Sequence, residues 1–146
     1  RGLEIPASVR YDLGKLNLRL GGNYALTKTT NGRPESGDDA SKGRQLVYIP
    51  VHKGNLMLAA SYEGWYCFWV WSAVGERFTT SSNEATRHTL PAYDLHNATV
   101  GKNFKMGGTV LNAELKINNV FGRHYRAELW TPMPGRNYSL LVKVSF

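Results

Sequence analysis

Apolar and polar side chains alternate one by one along most of this chain, a period that an extended strand resolves into two distinct faces. Seven runs carry it. From Leu3 to Tyr11 the odd positions Leu3, Ile5, Ala7, Val9 and Tyr11 are apolar, and Glu4, Ser8 and Arg10 alternate with them. The second run sets Leu16, Leu18, Leu20, Gly22, Tyr24 and Leu26 against Asn17, Arg19, Gly21, Asn23 and Thr27. A helix would scatter those leucines around its surface. The third sets Leu56, Leu58, Ala60 and Tyr62 against Lys53, Asn55, Met57 and Ser61. The fourth, Trp65 to Phe78, is apolar on both faces for several residues, so period alone does not orient it. The fifth, Tyr93 to Lys102, alternates weakly. The sixth sets Leu111, Ala113, Leu115, Ile117 and Phe121 against Asn112, Glu114, Lys116 and Asn118; the seventh sets Tyr138, Leu140, Val142, Val144 and Phe146 against Ser139, Lys143 and Ser145.

The connections alternate as strictly as the side chains. Asp12-Leu13-Gly14, Glu63-Gly64 and Gly107-Gly108 are hairpin turns. Between them lie long polar links, Lys28 to Val47, Thr79 to Pro91 and Arg126 to Arg136. An up-and-down meander with one rim trimmed to turns and the other carrying loops produces this order. Membrane-spanning β-barrels have that asymmetry, with short periplasmic turns and longer external loops. Aromatic positions test the idea separately. Tyr11, Tyr62, Trp65 and Phe146 fall at the short-turn ends; Tyr24, Phe78, Tyr93, Phe121 and Tyr138 fall at the long-loop ends. Rings that girdle a bilayer belong at both ends of a strand, whereas rings in a sandwich core belong near its middle. Tyr138 and Phe146 are separated by roughly 27 Å of extended chain, enough when tilted to cover most of a hydrocarbon layer about 25 Å tall.

Composition removes other classes. The chain has 146 residues, 42% of them hydrophobic and 20% charged, which is too ordinary for a disordered tail. A single cysteine, Cys67, excludes a disulfide framework and a Cys-rich zinc site, and reads as a small lipid-facing or buried hydrophobe. The longest apolar stretch, WYCFWVWSAV, is far short of the roughly 18 residues of a membrane helix. The chain opens in strand alternation, so no cleavable signal peptide is expected at this end. The net charge is +7, but Lys and Arg are spread over runs and loops, and no nucleic-acid surface is expected. His52, His88, His96 and His124 lack the HExxH spacing and read as surface or loop residues. Asn97-Ala98-Thr99 and Asn137-Tyr138-Ser139 match the glycosylation pattern inside strands, where it is fortuitous. No catalytic constellation, metal site or cofactor is predicted.

Five stretches in order resemble the C-terminal part of TonB-dependent outer-membrane receptors: PVHKGNL at 50–56, VGERF at 74–78, LPAYDL at 90–95, NNVFGRHY at 118–125 and MPGRNYSLLVKVSF at 133–146. The form TPMPGRNY resembles the Bacteroidetes branch of that family. Val51, where the family usually has a basic residue, and Leu141, a hydrophobe on the polar side, depart from the pattern. The resemblance implies an all-β antiparallel meander of about seven strands within a larger transmembrane barrel. Such barrels have about 22 strands and a plugged lumen, so residues 1–146 are expected to be a C-terminal portion, with the plug and earlier strands elsewhere. The implied function is energy-dependent uptake of a scarce nutrient such as a ferric siderophore or cobalamin. The implied partners are outer-membrane lipid, the receptor's own plug and remaining strands, the TonB complex and the barrel assembly machinery.

Candidate residues follow from that arrangement. Arg19, Lys53, Glu114, Lys116 and Lys143 are expected to face the lumen, where charge costs little. Glu35, Asp38, Asp39, Lys42 and Arg44 in the first long loop, Arg87 and His88 in the second, and Arg126, Glu128 and Trp130 in the third are candidate ligand contacts. The resemblance assigns Tyr138, Leu140, Val142, Val144 and Phe146 to the signal read by the barrel assembly machinery. Two other classes stay open: a soluble β-sandwich or β-barrel binding module for nucleic acid or glycan, and an outer-membrane barrel enzyme, against which the lack of a scaffolded Ser/His pair counts.

Overall fold

A computed structural model describes residues 1–32, 40–84 and 89–146. Every regular element among them is a strand: β1 (Gly2–Leu13), β2 (Leu16–Thr27), β3 (His52–Tyr62), β4 (Trp65–Val74), β5 (Arg77–Phe78), β6 (Thr89–Leu90), β7 (Tyr93–Met106), β8 (Thr109–Asn118) and β9 (Asn137–Ser145). Seven of them form one antiparallel sheet in the order β1-β2-β3-β4-β7-β8-β9, and β5 pairs only with β6, within the connection from β4 to β7. Neighbours in sequence are neighbours in the sheet once that ribbon is set aside. This is the up-and-down meander predicted from the alternating short and long links.

Tight turns set the register. Leu13 pairs with Leu16, Tyr62 with Trp65 and Met106 with Thr109, leaving two residues at each tip. Glu63 and Gly64 both have positive φ, as the two-residue turns that match strand twist require. The first turn is Gly14-Lys15 rather than Asp12 to Gly14, because Leu13 still pairs across the hairpin and Gly14 takes the left-handed step. The fourth run also ends early, at Val74. The Gly75 amide bonds the His52 carbonyl at 2.8 Å, and the chain then leaves the sheet for β5.

Pairing across all seven strands sorts side chains into two faces. One carries Leu3, Ile5, Leu18, Leu20, Leu56, Leu58, Trp69, Val100, Leu115, Leu140 and Val142. The other carries Arg10, Arg19, Asn23, Lys53, Asn55, Asn97, Asn112, Glu114, Lys116 and Lys143. The register orients β4, placing Trp65, Cys67, Trp69 and Trp71 on the apolar face and Tyr66, Phe68 and Val70 on the polar one. It also explains the weak alternation of β7, the longest strand. There Asp94, His96 and Lys102 stand on the apolar face, and Tyr93 and Leu95 on the polar face.

No second layer among the described residues covers the apolar face. Among the described residues Leu90 is the only buried hydrophobic side chain, whereas Leu115 is 39% and Val142 60% exposed. A sandwich would bury such residues between sheets; here the backbone of each sheet strand lies close only to that of its sheet neighbours. Tyr11, Tyr62 and Trp65 lie on the apolar face at the short-turn end, and Tyr24 and Tyr138 at the long-loop end. Three of the predicted girdle rings depart from that scheme. Tyr93 is on the polar face, its ring 4.8 Å from that of Tyr125. Phe78 lies in β5, outside the sheet, and Phe121 follows the end of β8, where Asn119 turns the chain at φ 52°.

The face assignment makes a direct prediction. Leu115→Arg in the full-length protein is expected to lower barrel stability by about 2–4 kcal/mol, whereas Lys116→Arg is expected to be neutral. Heat-modifiability on gels and urea titration in lipid read both variants, and equal effects would reject the assignment.

Candidate functional site

The long-loop rim is built from cross-links between loops. In the first loop Thr30 and Gln45 form an antiparallel bridge, and the Asn31 side chain donates to the Ser41 hydroxyl at 2.7 Å. Asn83 of the second loop, at φ 55°, then docks on Gln45. Its Oδ1 accepts the Gln45 amide at 2.7 Å and its Nδ2 donates to the Gln45 carbonyl at 2.9 Å, the same exchange a strand neighbour would make. The Tyr48 amide donates to the Phe78 carbonyl at 2.8 Å. The described parts of loops one and two are thereby bonded together.

Arg77 ties the second loop to the third. It is only 4% exposed, and its guanidinium donates to the carbonyls of Ala127 at 3.1 Å, Pro91 at 3.3 Å and Arg126 at 2.9 Å. The Tyr93 ring lies under the charge at 5.0 Å. A buried cation with no carboxylate among the described residues is tolerable here because carbonyl dipoles and an aromatic face surround it. Tyr125 packs beside Tyr93, and burial pushes its phenol pKa up, with the neighbouring Tyr93 acting in the same direction. The start of the third loop is fixed by Asn119, which is 4% exposed; its side chain accepts from the Arg123 amide at 2.8 Å and donates to the Arg123 carbonyl at 2.9 Å. Asn tolerates the left-handed step that this closure needs.

Below the loops, a polar cluster sits on the apolar face. The Arg123 guanidinium pairs with Asp94, through Nε at 3.2 Å, and His96 Nε2 lies 3.1 Å from the same carboxylate. The His96 ring is held 5.3 Å from Trp69 and 4.7 Å from Phe121. His96 is thus a packed strand residue and not the surface or loop residue expected. His52 is also on a strand, its Nδ1 2.6 Å from the Tyr24 hydroxyl at the same rim.

The polar face is wired from strand to strand. Asn23 donates to Glu4 and accepts from Asn55, both at 3.0 Å. Tyr66 lies across β7 above Gly101, donates to Glu114 at 2.8 Å and accepts from Asn112 at 2.8 Å. A Cβ on residue 101 would stand 2.3 Å from that ring, so only glycine admits the crossing. The arrangement is a polar wall whose side chains hold one another across strands.

Arg19, Lys53, Glu114, Lys116 and Lys143 share this polar face, as the alternation predicts. Tyr138, Leu140, Val142 and Val144 form one row on the apolar side of edge strand β9, and Phe146 follows, fully exposed. Of the loop candidates, Lys42, Arg44, Arg126 and Glu128 are exposed on the long-loop side. Trp130 is 97% exposed and at φ 62°, a left-handed conformation uncommon for a bulky residue. Glu35, Asp38, Asp39, Arg87 and His88 lie outside the described residues. The loops are joined by Gln45, Arg77 and Asn83 instead, none of them among the candidates. Their signal is contact between segments remote in sequence, and period two is blind to it.

Arg77→Ala is expected to loosen the third loop by about 2–4 kcal/mol, since three carbonyls lose a charged donor. Hydrogen exchange should rise across residues 119–136 while β8 and β9 stay protected. Unchanged exchange in that loop would show that Arg77 is not the clamp.

No curated protein matches the chain. A family model described as TonB dependent receptor-like, beta-barrel, matches residues 1–120. The matched part holds six of the seven sheet strands and every short turn. The match spans most of the sheet, with its apolar face, its cross-strand polar wiring and its loop-bearing rim, and the chain belongs to the TonB-dependent receptor β-barrel family, the transport receptors of the outer membrane.

Proposed function

We propose that residues 1–146 form the C-terminal wall and external loops of a receptor that takes up a scarce nutrient, such as a ferric siderophore or cobalamin, at the energy of the TonB complex. The observation that carries this reading is the single-layer sheet, apolar on one side and hydrogen-bonded on the other. Hydrocarbon is the medium in which an uncovered row of Leu, Val and Trp is at rest. The polar face then lines a watery bore that holds the receptor's plug, with Arg19, Lys53, Glu114, Lys116 and Lys143 solvated or bonded to it. The joined loops present Lys42, Arg44, Arg126, Glu128 and Trp130 to an external ligand. Glu35, Asp38, Asp39, Arg87 and His88 belong to the same loops by sequence. Capture by loops and plug precedes a TonB-driven rearrangement of the plug; this segment supplies wall and loops and not the gate.

Cells carrying the full-length receptor are expected to accumulate a labelled ferric siderophore or cobalamin only when TonB is intact. Absence of TonB-dependent accumulation across a panel of both classes would overturn the substrate reading.

Tyr138, Leu140, Val142, Val144 and Phe146 serve as the signal read by the assembly machinery in the same proposal. Tyr138, Leu140, Val142 and Val144 lie along the apolar side of the sheet's last edge and Phe146 follows them, and a row of alternating hydrophobes there can be read as an added strand. Deleting Phe146 from the full-length receptor should cut its surface level about tenfold, corresponding to about 1.4 kcal/mol of recognition. Surface labelling at the wild-type level would remove that role.

A further inference from the structure

Lys102 is the only Lys or Arg that the strands of the seven-stranded sheet themselves place on the apolar face. Its pairing partner is Trp65, the first residue after the Glu63-Gly64 turn, so it stands near the short-turn rim of β4. Its ammonium lies 4.5 Å from the Trp65 ring centroid and 5.1 Å from that of Phe104, two residues nearer the end of β7. The side chain therefore leans toward the short-turn rim. No ion pair joins Lys102 to a carboxylate among the described residues, and the one carboxylate on this face, Asp94, is at the far end of β7, engaged with Arg123 and His96.

We propose that Lys102, between Trp65 and Phe104, binds the phosphate of a phospholipid headgroup in the leaflet at the short-turn rim. The inference rests on the membrane reading given above. A lysine on a lipid-facing strand reaches for the interface, with its stem along the apolar surface and its charge at headgroup depth. The two rings stabilise the cation through their faces but accept none of its three N–H donors in ordinary hydrogen bonds. An anionic phosphate oxygen at that depth supplies both charge and acceptors. Trp65 is itself a residue type that settles at the interface, so ring and ammonium mark one level.

The test is native mass spectrometry of the full-length receptor in detergent, titrated with dioleoylphosphatidylglycerol. Wild type and Lys102→Arg should retain the lipid, and Lys102→Gln should retain it about five-fold more weakly. Millimolar inorganic phosphate should not displace it. Equal retention by a heat-modifiable Lys102→Gln barrel overturns the headgroup contact alone, and displacement by inorganic phosphate reassigns the site to the free ion. A second comparison needs no substitution: wild type should prefer phosphatidylglycerol to dioleoylglycerol, which lacks the phosphate, and equal retention of the two also overturns the contact. A wild-type receptor that fails to sediment with outer membranes overturns both this inference and the membrane reading.

Discussion

The structure depends on a sheet that satisfies its backbone sideways and, among the described residues, leaves its greasy surface uncovered. Each inner strand hydrogen-bonds to a neighbour on either side, so polar main-chain groups are used within the sheet. In hydrocarbon that is the condition for a strand to cross at all, because an unpaired amide or carbonyl there costs several kcal/mol. In water the same sheet would expose Leu3, Ile5, Val9, Leu140 and Val142 in continuous rows. One layer is therefore sufficient in a bilayer and insufficient outside it. The two edges, β1 and β9, have the same logic: within a closed barrel each pairs onward.

From that constraint the rims acquire separate tasks. Turns of two residues are enough to reverse the chain at one end, and Gly14, Gly64 and Gly107 take the positive φ values that those reversals need. At the other end, long connections are stabilised by one another. Gln45 with Asn83 and Arg77 with the third loop bond main chain that has no strand partner. The described parts of that rim form a jointed platform, in which loosening one loop alters the footing of the next. Tyr66 braces the wall beneath in a comparable way, crossing Gly101 to reach β8.

Much of this was legible in the alternation. Leucines at 16, 18 and 20, hydrophobes at 111, 113 and 115, and Gly-bearing turns between runs fixed strand number, order and faces, because side-chain period and strand geometry are the same fact. Where the alternation faltered, chemistry had intruded. β7 read weakly because Asp94, His96 and Lys102 stand on the apolar side, the first two in a rim cluster with Arg123 and the third between Trp65 and Phe104. Tyr93 was misplaced among the girdle rings because it serves Arg77 from the opposite face. Arg77 and Asn83 carried no periodic signal; their roles arise from contacts between loop segments remote in sequence.

The most direct measurement is spin-label accessibility along β8 in the full-length receptor reconstituted in lipid vesicles. Labels at Leu111, Ala113, Leu115 and Ile117 should be relaxed by dissolved oxygen, which concentrates in hydrocarbon. Labels at Asn112, Glu114 and Lys116 should respond to a water-soluble nickel chelate, giving a period of two that changes partner at each step. A profile in which both sets respond alike, or in which the leucine positions are shielded from both reagents as in a protein core, would contradict the account.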